Sequence, residues 1–272
     1  MNLNRLSYSL LLVLPFFAVS AVFSQELNSG PRITALGNIA PALHDVWSLQ
    51  SNQAGIAQLE KPIGALAYQN SYFNTDISTQ SAVFAYPIKN NVIGISFQNY
   101  GFSDYNEQKI GFAYAKRFGK GLSIALNFNT HQVKISQYGN AFAFSVEAGF
   151  QFKVNDRLVL GSHMANPNKS GYRKEVDAAV PTLLEVGAAY YLSDKVLFNS
   201  GLIKDLDLQT DARFGMEYNI VEWFTLRGGI NANPFRQMLG FGCKYQRLQV
   251  DIAATSHPVL GYSPQMSLGY EF

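Results

Sequence analysis

Nine charged side chains recur at alternate positions within otherwise apolar segments of the chain. Five are acidic and four are basic: Lys109, Glu147, Glu185, Arg213, Glu217, Arg227, Lys244, Asp251 and Glu271. Charges of both signs on one face are suited to ion pairing, whereas an ion-selective pore more often shows an excess of one sign. Arg32, His44 and Asp45, nearer the N-terminus, are candidates for the same network. These residues predict a paired and filled interior rather than a conducting one.

No residue pattern typical of an enzyme or of a metal site accompanies these charges. The four histidines, His44, His131, His163 and His257, are scattered without metal-ligand spacing. The sequence contains no Gly-x-Ser-x-Gly elbow and no glycine-rich phosphate loop. We therefore predict a protein without enzymatic activity, cofactor or metal.

Strands are the elements that must position these charges. From about residue 62, apolar and polar residues alternate with period two, as in strands with one apolar and one polar face. Fourteen such runs are predicted, at 62–73, 77–88, 91–101, 107–118, 121–134, 140–153, 157–165, 181–192, 195–204, 211–220, 222–232, 236–246, 248–257 and 264–272. A charge that faces lipid at mid-bilayer costs about 2–4 kcal/mol, so the charged faces must point inward. The pattern predicts an all-β, transmembrane antiparallel barrel of about 14 strands.

The joints between the predicted strands and the C-terminal run support the same architecture. Even-numbered joints are short and rich in Gly, Asn, Asp and Ser, whereas odd-numbered joints tend to be longer, the longest lying at 166–180. An outer-membrane barrel has short periplasmic turns and longer outside loops. The last run alternates strictly, with the apolar residues Met266, Leu268, Tyr270 and Phe272 on one face. It resembles the strand that closes outer-membrane barrels, and the resemblance implies that the insertion machinery reads it.

The N-terminal part divides into two segments. Residues 1–24 have a basic start at Arg5, an apolar stretch and a small-residue cleavage site, which predicts a signal peptide and export to the outer membrane. Residues 25–61 lack the strand pattern, and Ile39, Leu43, Val46 and Leu49 are spaced as in a helix. We predict that residues 25–61 form a short helical hatch inside the barrel formed by 62–272, with an unstructured periplasmic tail as the alternative. Inward glycines would give this hatch room to approach the wall.

The composition suits a membrane barrel and excludes some partners. Of 272 residues, aromatic side chains make up 14% and charged side chains only 15%, which is low for a soluble surface. A net charge of +2 gives no electrostatic reason to expect nucleic-acid binding. The single cysteine, Cys243, excludes an intramolecular disulfide. A soluble secreted β-sandwich remains the alternative for the whole chain.

The N-terminal segment resembles a known group of barrels. The residues that fall on its pattern of Gly-x-Arg, Gly, Asp and Asn-x-Ala-Gly are Gly30, Arg32, Gly37, Asp45, Asn52, Ala54 and Gly55. This order resembles the PorV/PorQ-type outer-membrane proteins of Bacteroidetes and, more distantly, FadL-type transporters. The strand that begins at Pro181, after a loop opened by Asn166-Pro167, resembles the same group. The chain departs from the pattern at three positions: Asn38 where the group has Gly, His44 where it has Asp, and Gln53 where it has Pro.

The resemblance implies two different functions. PorV/PorQ-type proteins serve the type IX secretion system, which implies an accessory subunit of protein secretion or of outer-membrane protein assembly, within a larger complex of a barrel and lipoproteins. The loop with Tyr172, Arg173 and Lys174 is then the candidate partner surface. FadL-type proteins imply instead an uptake channel for a hydrophobic small molecule. That alternative needs an apolar pocket in the upper lumen, for which the candidate lining is Leu183, Tyr191, Leu197 and Ile203.

Overall fold

A computed structural model describes residues 30–73, 76–172, 180–206 and 208–272. The predicted signal peptide, 1–24, and the first five residues of the predicted hatch lie outside the described residues. Arg173 and Lys174 also lie outside them.

Fourteen antiparallel strands close into a single barrel. They are β1 (Ile63–Asn70), β2 (Ser78–Ile88), β3 (Asn91–Phe102), β4 (Tyr105–Phe118), β5 (Leu122–Ile135), β6 (Gly139–Lys153), β7 (Leu158–Ala165), β8 (Leu183–Ser193), β9 (Val196–Asp205), β10 (Asp211–Val221), β11 (Phe224–Ala232), β12 (Phe235–Tyr245), β13 (Leu248–His257) and β14 (Gly261–Glu271). Each strand pairs with its neighbours in sequence, and β1 pairs with β14. The prediction of a 14-strand antiparallel barrel is confirmed.

The alternation of side chains gives the wall two different faces. Phe144, Phe214 and Leu239 are examples of the large apolar side chains that project outward and are exposed. Polar and small residues at the intervening positions are buried inside. The outer surface is therefore suited to lipid and the inner surface to a filled lumen.

The last strand closes the barrel against the first. In the register between β14 and β1, Met266 lies opposite Tyr68, and Leu268 lies opposite Leu66. The four apolar residues predicted for the closing strand, Met266, Leu268, Tyr270 and Phe272, all face outward and are exposed. Their role as an insertion signal remains a prediction.

The joints at the two ends of the barrel differ less in length than the sequence predicted. At one end, here called the turn end, the joints span two to four residues, as at 89–90 and 154–157. At the other, the loop end, the joint at 166–182 is the longest, but those at 103–104 and 233–234 contain only two residues. Long outside loops are therefore confined to part of the rim. Short turns mark the turn end as the periplasmic one.

The N-terminal segment lies inside the barrel. It contains helix α1 (Gly30–Ala35) and two short 3₁₀ helices, Val46–Gln50 and Gln53–Gln58. Asp45 and Asn52 cap the two 3₁₀ helices by accepting hydrogen bonds from the backbone N–H groups of Trp47 and Ala54. We call residues 30–61 the plug.

The hydrophobic core of the protein is the contact between the plug and the barrel wall. Large plug side chains are almost completely buried, among them Ile33, Leu36, Leu43, Trp47, Leu49 and Ile56. They pack against small inward residues of the strands, such as Ala85, Ala115 and Ala189. The plug thus occupies the lumen as a packed core does. No helix within the described residues is long and apolar enough to cross a membrane.

Candidate functional site

Arg32 ties the beginning of the plug to the wall. Its Nε donates to Glu217 Oε2 (2.9 Å) and its Nη2 donates to Glu217 Oε1 (3.0 Å), so the pairing is bidentate. Its Nη1 donates to Asp45 Oδ2 (2.9 Å) within the plug. Paired hydrogen bonds between a guanidinium and a carboxylate add geometric specificity to the charge attraction. Arg32 therefore fixes both the fold of the plug and its place against β10.

Arg227 extends this network along the wall. Its Nε donates to Glu217 Oε2 (2.7 Å) and its Nη1 donates to Asp251 Oδ1 (2.6 Å). The result is an alternating chain of charges, Asp45–Arg32–Glu217–Arg227–Asp251, which we call the plug anchor. Its two strand carboxylates and Arg227 are buried. Each buried charge has an opposite partner, which is the condition under which such charges are tolerated.

Two other predicted members of the network contribute differently. His44 accepts a hydrogen bond from Arg32 Nη1 through its carbonyl oxygen (3.0 Å), and its imidazole makes no ion pair. Burial, together with the nearby charges of Arg32 and Lys153, lowers the pKa of His44 to about 4, so the ring is neutral near pH 7. Arg213 pairs with Asp211 (2.6 Å) and donates to the carbonyl oxygen of Asn38 (3.0 Å), which makes a second tie to the plug.

A second charged cluster surrounds Glu147 on β6. Lys109 Nζ donates to Glu147 Oε1 (2.8 Å), and His163 Nε2 lies 3.4 Å from Glu147 Oε2. On its other side, His163 Nδ1 lies 3.5 Å from Glu185 Oε2. Gln53 Nε2 donates to Glu147 Oε2 (2.5 Å), so this cluster also contacts the plug. We call it the Glu147 cluster.

Lys244 and Glu271 lie outside both clusters. Lys244 has the inward parity that the sequence predicted, but it is exposed, because it lies next to the turn that ends β12. Glu271 pairs with the exposed Lys61 at 3.5 Å, near the turn end. Alternation along a strand defines the face but not the depth, and both residues lie at the rim. Their predicted place in the lumen network is corrected accordingly.

Neutral amide side chains, which the charge pattern of the sequence did not point to, hold the plug as well. Asn52 Nδ2 donates to the carbonyl oxygens of Pro41 (2.6 Å) and Phe150 (3.1 Å). Gln151 Nε2 donates to the carbonyl oxygens of Pro41 and Leu43, both at 2.9 Å. Side-chain amides at inward strand positions, such as Gln151, could have predicted these contacts, because a buried amide needs hydrogen-bond partners.

A pocket opens at the loop end, next to the Glu147 cluster. It encloses about 540 Å³ of space, including its open mouth, and is lined by Gln98, Tyr100, Glu107, Lys109, His131, Ser145, Glu147, Ala165, Asn166, Val180, Pro181 and Leu183. Ala165, Val180, Pro181 and Leu183 supply apolar groups, whereas Lys109 and the two carboxyl side chains Glu107 and Glu147 are the ionisable acidic and basic groups of the lining. A pocket with apolar walls and a few convergent polar groups is the usual form of a small-molecule site.

The predicted apolar lining is only partly correct. Leu183 lines the pocket, as predicted. Leu197 belongs instead to the core against the plug, Tyr191 packs against that core, and Ile203 is buried outside the lining. Tyr191 and Leu197 flank the turn at 194–195, so they lie at the turn end rather than in the upper lumen, and plug side chains pack against them there. Tyr172, from the predicted partner loop, is half-buried in the joint between β7 and β8.

A smaller recess lies on the opposite side of the plug, and its volume of about 200 Å³ includes open solvent. Its lining includes Asp45 and Trp47 of the plug, with Ile63, Gln249 and Asp251 near the turn end of the wall. The plug therefore separates a space at the loop end from a space at the turn end. In the described part of the chain, no group of three or more His, Cys, Asp or Glu residues could hold a metal ion.

The fold and these two spaces define a plugged barrel of the outer-membrane type. Among solved structures, the chain is similar to a mutant of the monoaromatic hydrocarbon channel TodX, with a TM-score of 0.72 and 10% identity over 89% of this chain and 98% of that one. It is also similar to the Pseudomonas putida toluene transporter TodX, with a TM-score of 0.68 and 11% identity over 88% and 96%. A Pseudomonas aeruginosa FadL homologue gives a TM-score of 0.64 and 12% identity over 90% and 98%.

These similarities support the distant FadL-type resemblance at the level of the fold. The neighbours are channels and transporters rather than enzymes. No model of a known protein family matches the chain, and no curated protein sequence matches it.

Proposed function

We propose that this protein is a plugged outer-membrane channel for the uptake of a small molecule with an apolar body. The observation that carries the proposal is the pocket at the loop end, which combines apolar groups with the polar side chains of Glu107, Lys109 and Glu147. The solved hydrocarbon channels with the same fold support this function over the secretion function.

The position of the pocket relative to the plug gives the route. A ligand that enters from the outside reaches the pocket first, because the loop end faces away from the short turns. The plug lies between this pocket and the turn end, so passage requires part of the plug to move. Uptake is then a binding step followed by a conformational step.

Filling the pocket tests the proposal. Ala165→Trp places a large ring in the pocket, and we expect the rate of uptake to fall about tenfold or more, the factor that corresponds to a loss of about 1.4 kcal/mol in ligand binding. The measurement is the initial rate at which the fluorescent probe N-phenyl-1-naphthylamine enters cells that express equal amounts of each variant.

The neighbouring residue provides the matched control. Met164 is 40% exposed on the outer face, whereas Ala165 is 7% exposed and lines the pocket. Met164→Trp adds a similar ring one residue away on the lipid side, and uptake should match that of the unmodified protein. Equal rates for Ala165→Trp and Met164→Trp would contradict uptake through this pocket.

A second candidate function is an accessory subunit of protein secretion or of outer-membrane protein assembly. The N-terminal resemblance to PorV/PorQ-type proteins favours it, and so does the plug anchor, because buried ion pairs oppose opening of the lumen. Purification of a tagged form from its native outer membrane in mild detergent tests this candidate. A translocation or assembly barrel with lipoproteins in constant ratio would support it, whereas a lone barrel would count against it.

A further inference from the structure

Cationic side chains gather on three neighbouring turns at the turn end of the barrel, within residues 88–91, 116–122 and 152–158. They are Lys89, Lys116, Arg117, Lys120, Lys153 and Arg157, and we call them the basic patch. The backbone N–H of Arg117 donates to the carbonyl oxygen of Asn90 (2.9 Å), which joins the first turn to the second. The N–H of Lys153 donates to the carbonyl oxygen of Gly121 (2.7 Å), which joins the second turn to the third. The cations therefore form one surface rather than three separate ones.

The charge of the basic patch is neutralised only in part. One acidic residue, Asp156, lies in the same three segments, and it pairs with Lys153 (2.7 Å). The other five cations make no ion pair with the described residues. At the loop end, the described residues of the joints between strands contain the lysine Lys169 and the acids Asp76 and Asp104. Unpaired positive charge is therefore concentrated at one end of the barrel.

Aromatic side chains place the basic patch at the surface of the membrane. Tyr86, Tyr114 and Phe118 are exposed on the outer face beside it, and such girdles mark the boundary between hydrocarbon and headgroups. The hydroxyl of Tyr114 donates to Asn91 Oδ1 (2.8 Å), so its polar end points towards the turns. Lys116 shares this outer face, and its Nζ lies 5.1 Å from the centre of the Phe118 ring. Because the turns span only two to four residues, these cations stay at the level of the headgroups.

We propose that the basic patch binds the headgroups of anionic phospholipids in the leaflet at the turn end. Lysine and arginine near a membrane surface are attracted to anionic lipids, and the attraction falls off within a Debye length. The basic patch meets this requirement because it lies in the headgroup layer itself. A soluble acidic protein would have to reach the same cations across that layer, where the short turns offer no projecting loop. This lipid surface is separate from the loop-end pocket and does not depend on the uptake function.

Photolabelling locates the lipid. The full-length protein is placed in phosphatidylcholine nanodiscs that contain a small fraction of a photoactivatable lipid, either phosphatidylglycerol or phosphatidylcholine with the same acyl chains. Labelled peptides are then identified by mass spectrometry. We expect phosphatidylglycerol to label the peptides of the basic patch about tenfold more than phosphatidylcholine does, because each cation near the surface contributes about fivefold to the attraction. The two lipids should label the loop-end peptides nearly equally.

Three double variants test whether charge is responsible. Lys116→Gln/Lys120→Gln should lower the preference for phosphatidylglycerol about fivefold or more, whereas Lys116→Arg/Lys120→Arg keeps both charges and should retain it. Lys134→Gln/Lys169→Gln is the matched control, because it removes two exposed lysines at the loop end. It should leave labelling of the basic patch unchanged. All four lysines are exposed, so these variants should fold as the unmodified protein does.

The possible outcomes separate the sources of the anionic group. Equal labelling of the basic patch by the two lipids would overturn the proposal and leave the patch as a surface for an acidic protein. An equal preference for phosphatidylglycerol at both ends of the barrel would overturn its assignment to the turn end. A preference that disappears when inorganic phosphate is added at constant ionic strength would indicate a site for free phosphate instead. If the preference is electrostatic, raising the salt concentration should weaken it, because exposed charges are screened.

Discussion

Replacing Arg227 by Met should destabilise the barrel by about 3–5 kcal/mol, the usual cost of breaking a buried ion pair by removing one partner. Arg227 bridges Glu217 and Asp251, and all three are buried. Glu217 keeps its bidentate pairing with Arg32 in the variant, but Asp251 loses the guanidinium and keeps the amide of Gln249 (2.7 Å). The free energy of unfolding, measured by urea titration in detergent micelles, gives the comparison.

Two further variants separate the charge effect from lost packing. In Arg227→Met/Asp251→Asn the orphaned carboxylate is also removed, and part of the lost stability should return. Lys244→Met removes an exposed cation from the rim and should change stability by less than about 0.5 kcal/mol. A loss below about 1 kcal/mol for Arg227→Met, within the range of exposed ion pairs, would mean that the plug anchor contributes little to stability.

The faces of the barrel could be predicted from the sequence because lipid and lumen impose opposite requirements on alternate residues. Glu147 and Glu217 could be placed inside by parity alone, and they lie there. The alternation alone could not show that Lys244 lies outside the buried network, because the depth of a residue in the barrel depends on where its strand begins and ends. The alternation of charged and apolar residues therefore predicts whether a side chain points inward or outward, and the positions of the turns determine its depth along the barrel axis.

The pairing of charges could not be predicted, because it depends on the path of the plug. Arg32 and Glu217 are 185 residues apart, and nothing local connects them. The path depends on backbone carbonyls of the plug that accept hydrogen bonds from side-chain amides of the strands: those of Pro41 and Leu43 accept from Gln151, and that of Ile39 accepts from Asn199 (2.7 Å). The spacing of residues in the sequence does not indicate which backbone carbonyl such an amide will contact. For the same reason Leu197 was assigned to a ligand pocket, although the plug covers it.

The two clusters divide the plug into parts held by different forces. Near residue 32 the plug is held to the wall by the bidentate ion pair of Arg32 with Glu217, which is costly to break by removing one partner. Near residues 52–58 it consists of amide hydrogen bonds and one shared carboxylate. A net hydrogen bond contributes about 0.5–1.5 kcal/mol, so the second part is the easier one to open. It is also the part next to the pocket at the loop end, where the proposed uptake function requires the plug to move.

A single added methyl group at Gly161 should displace the plug from the wall. A Cβ atom built on Gly161 would overlap the carbonyl oxygen and carbon of Pro41, which are backbone atoms and cannot rotate away. The same carbonyl oxygen accepts from Asn52 and Gln151, so moving it strains both hydrogen bonds. We expect Gly161→Ala to cost about 3 kcal/mol, near the upper end of typical overpacking.

Gly228→Ala is the matched control on another strand. A Cβ atom there would have Leu239 Cδ2 as its nearest neighbour at 3.6 Å, which is an ordinary van der Waals contact. Urea unfolding should show a clear loss for Gly161→Ala and little change for Gly228→Ala. Limited proteolysis should in parallel cut the plug of Gly161→Ala faster while leaving its barrel intact. If both variants unfold at the same urea concentration, the strand glycines do not serve to seat the plug, and close packing would not be what keeps this lumen shut.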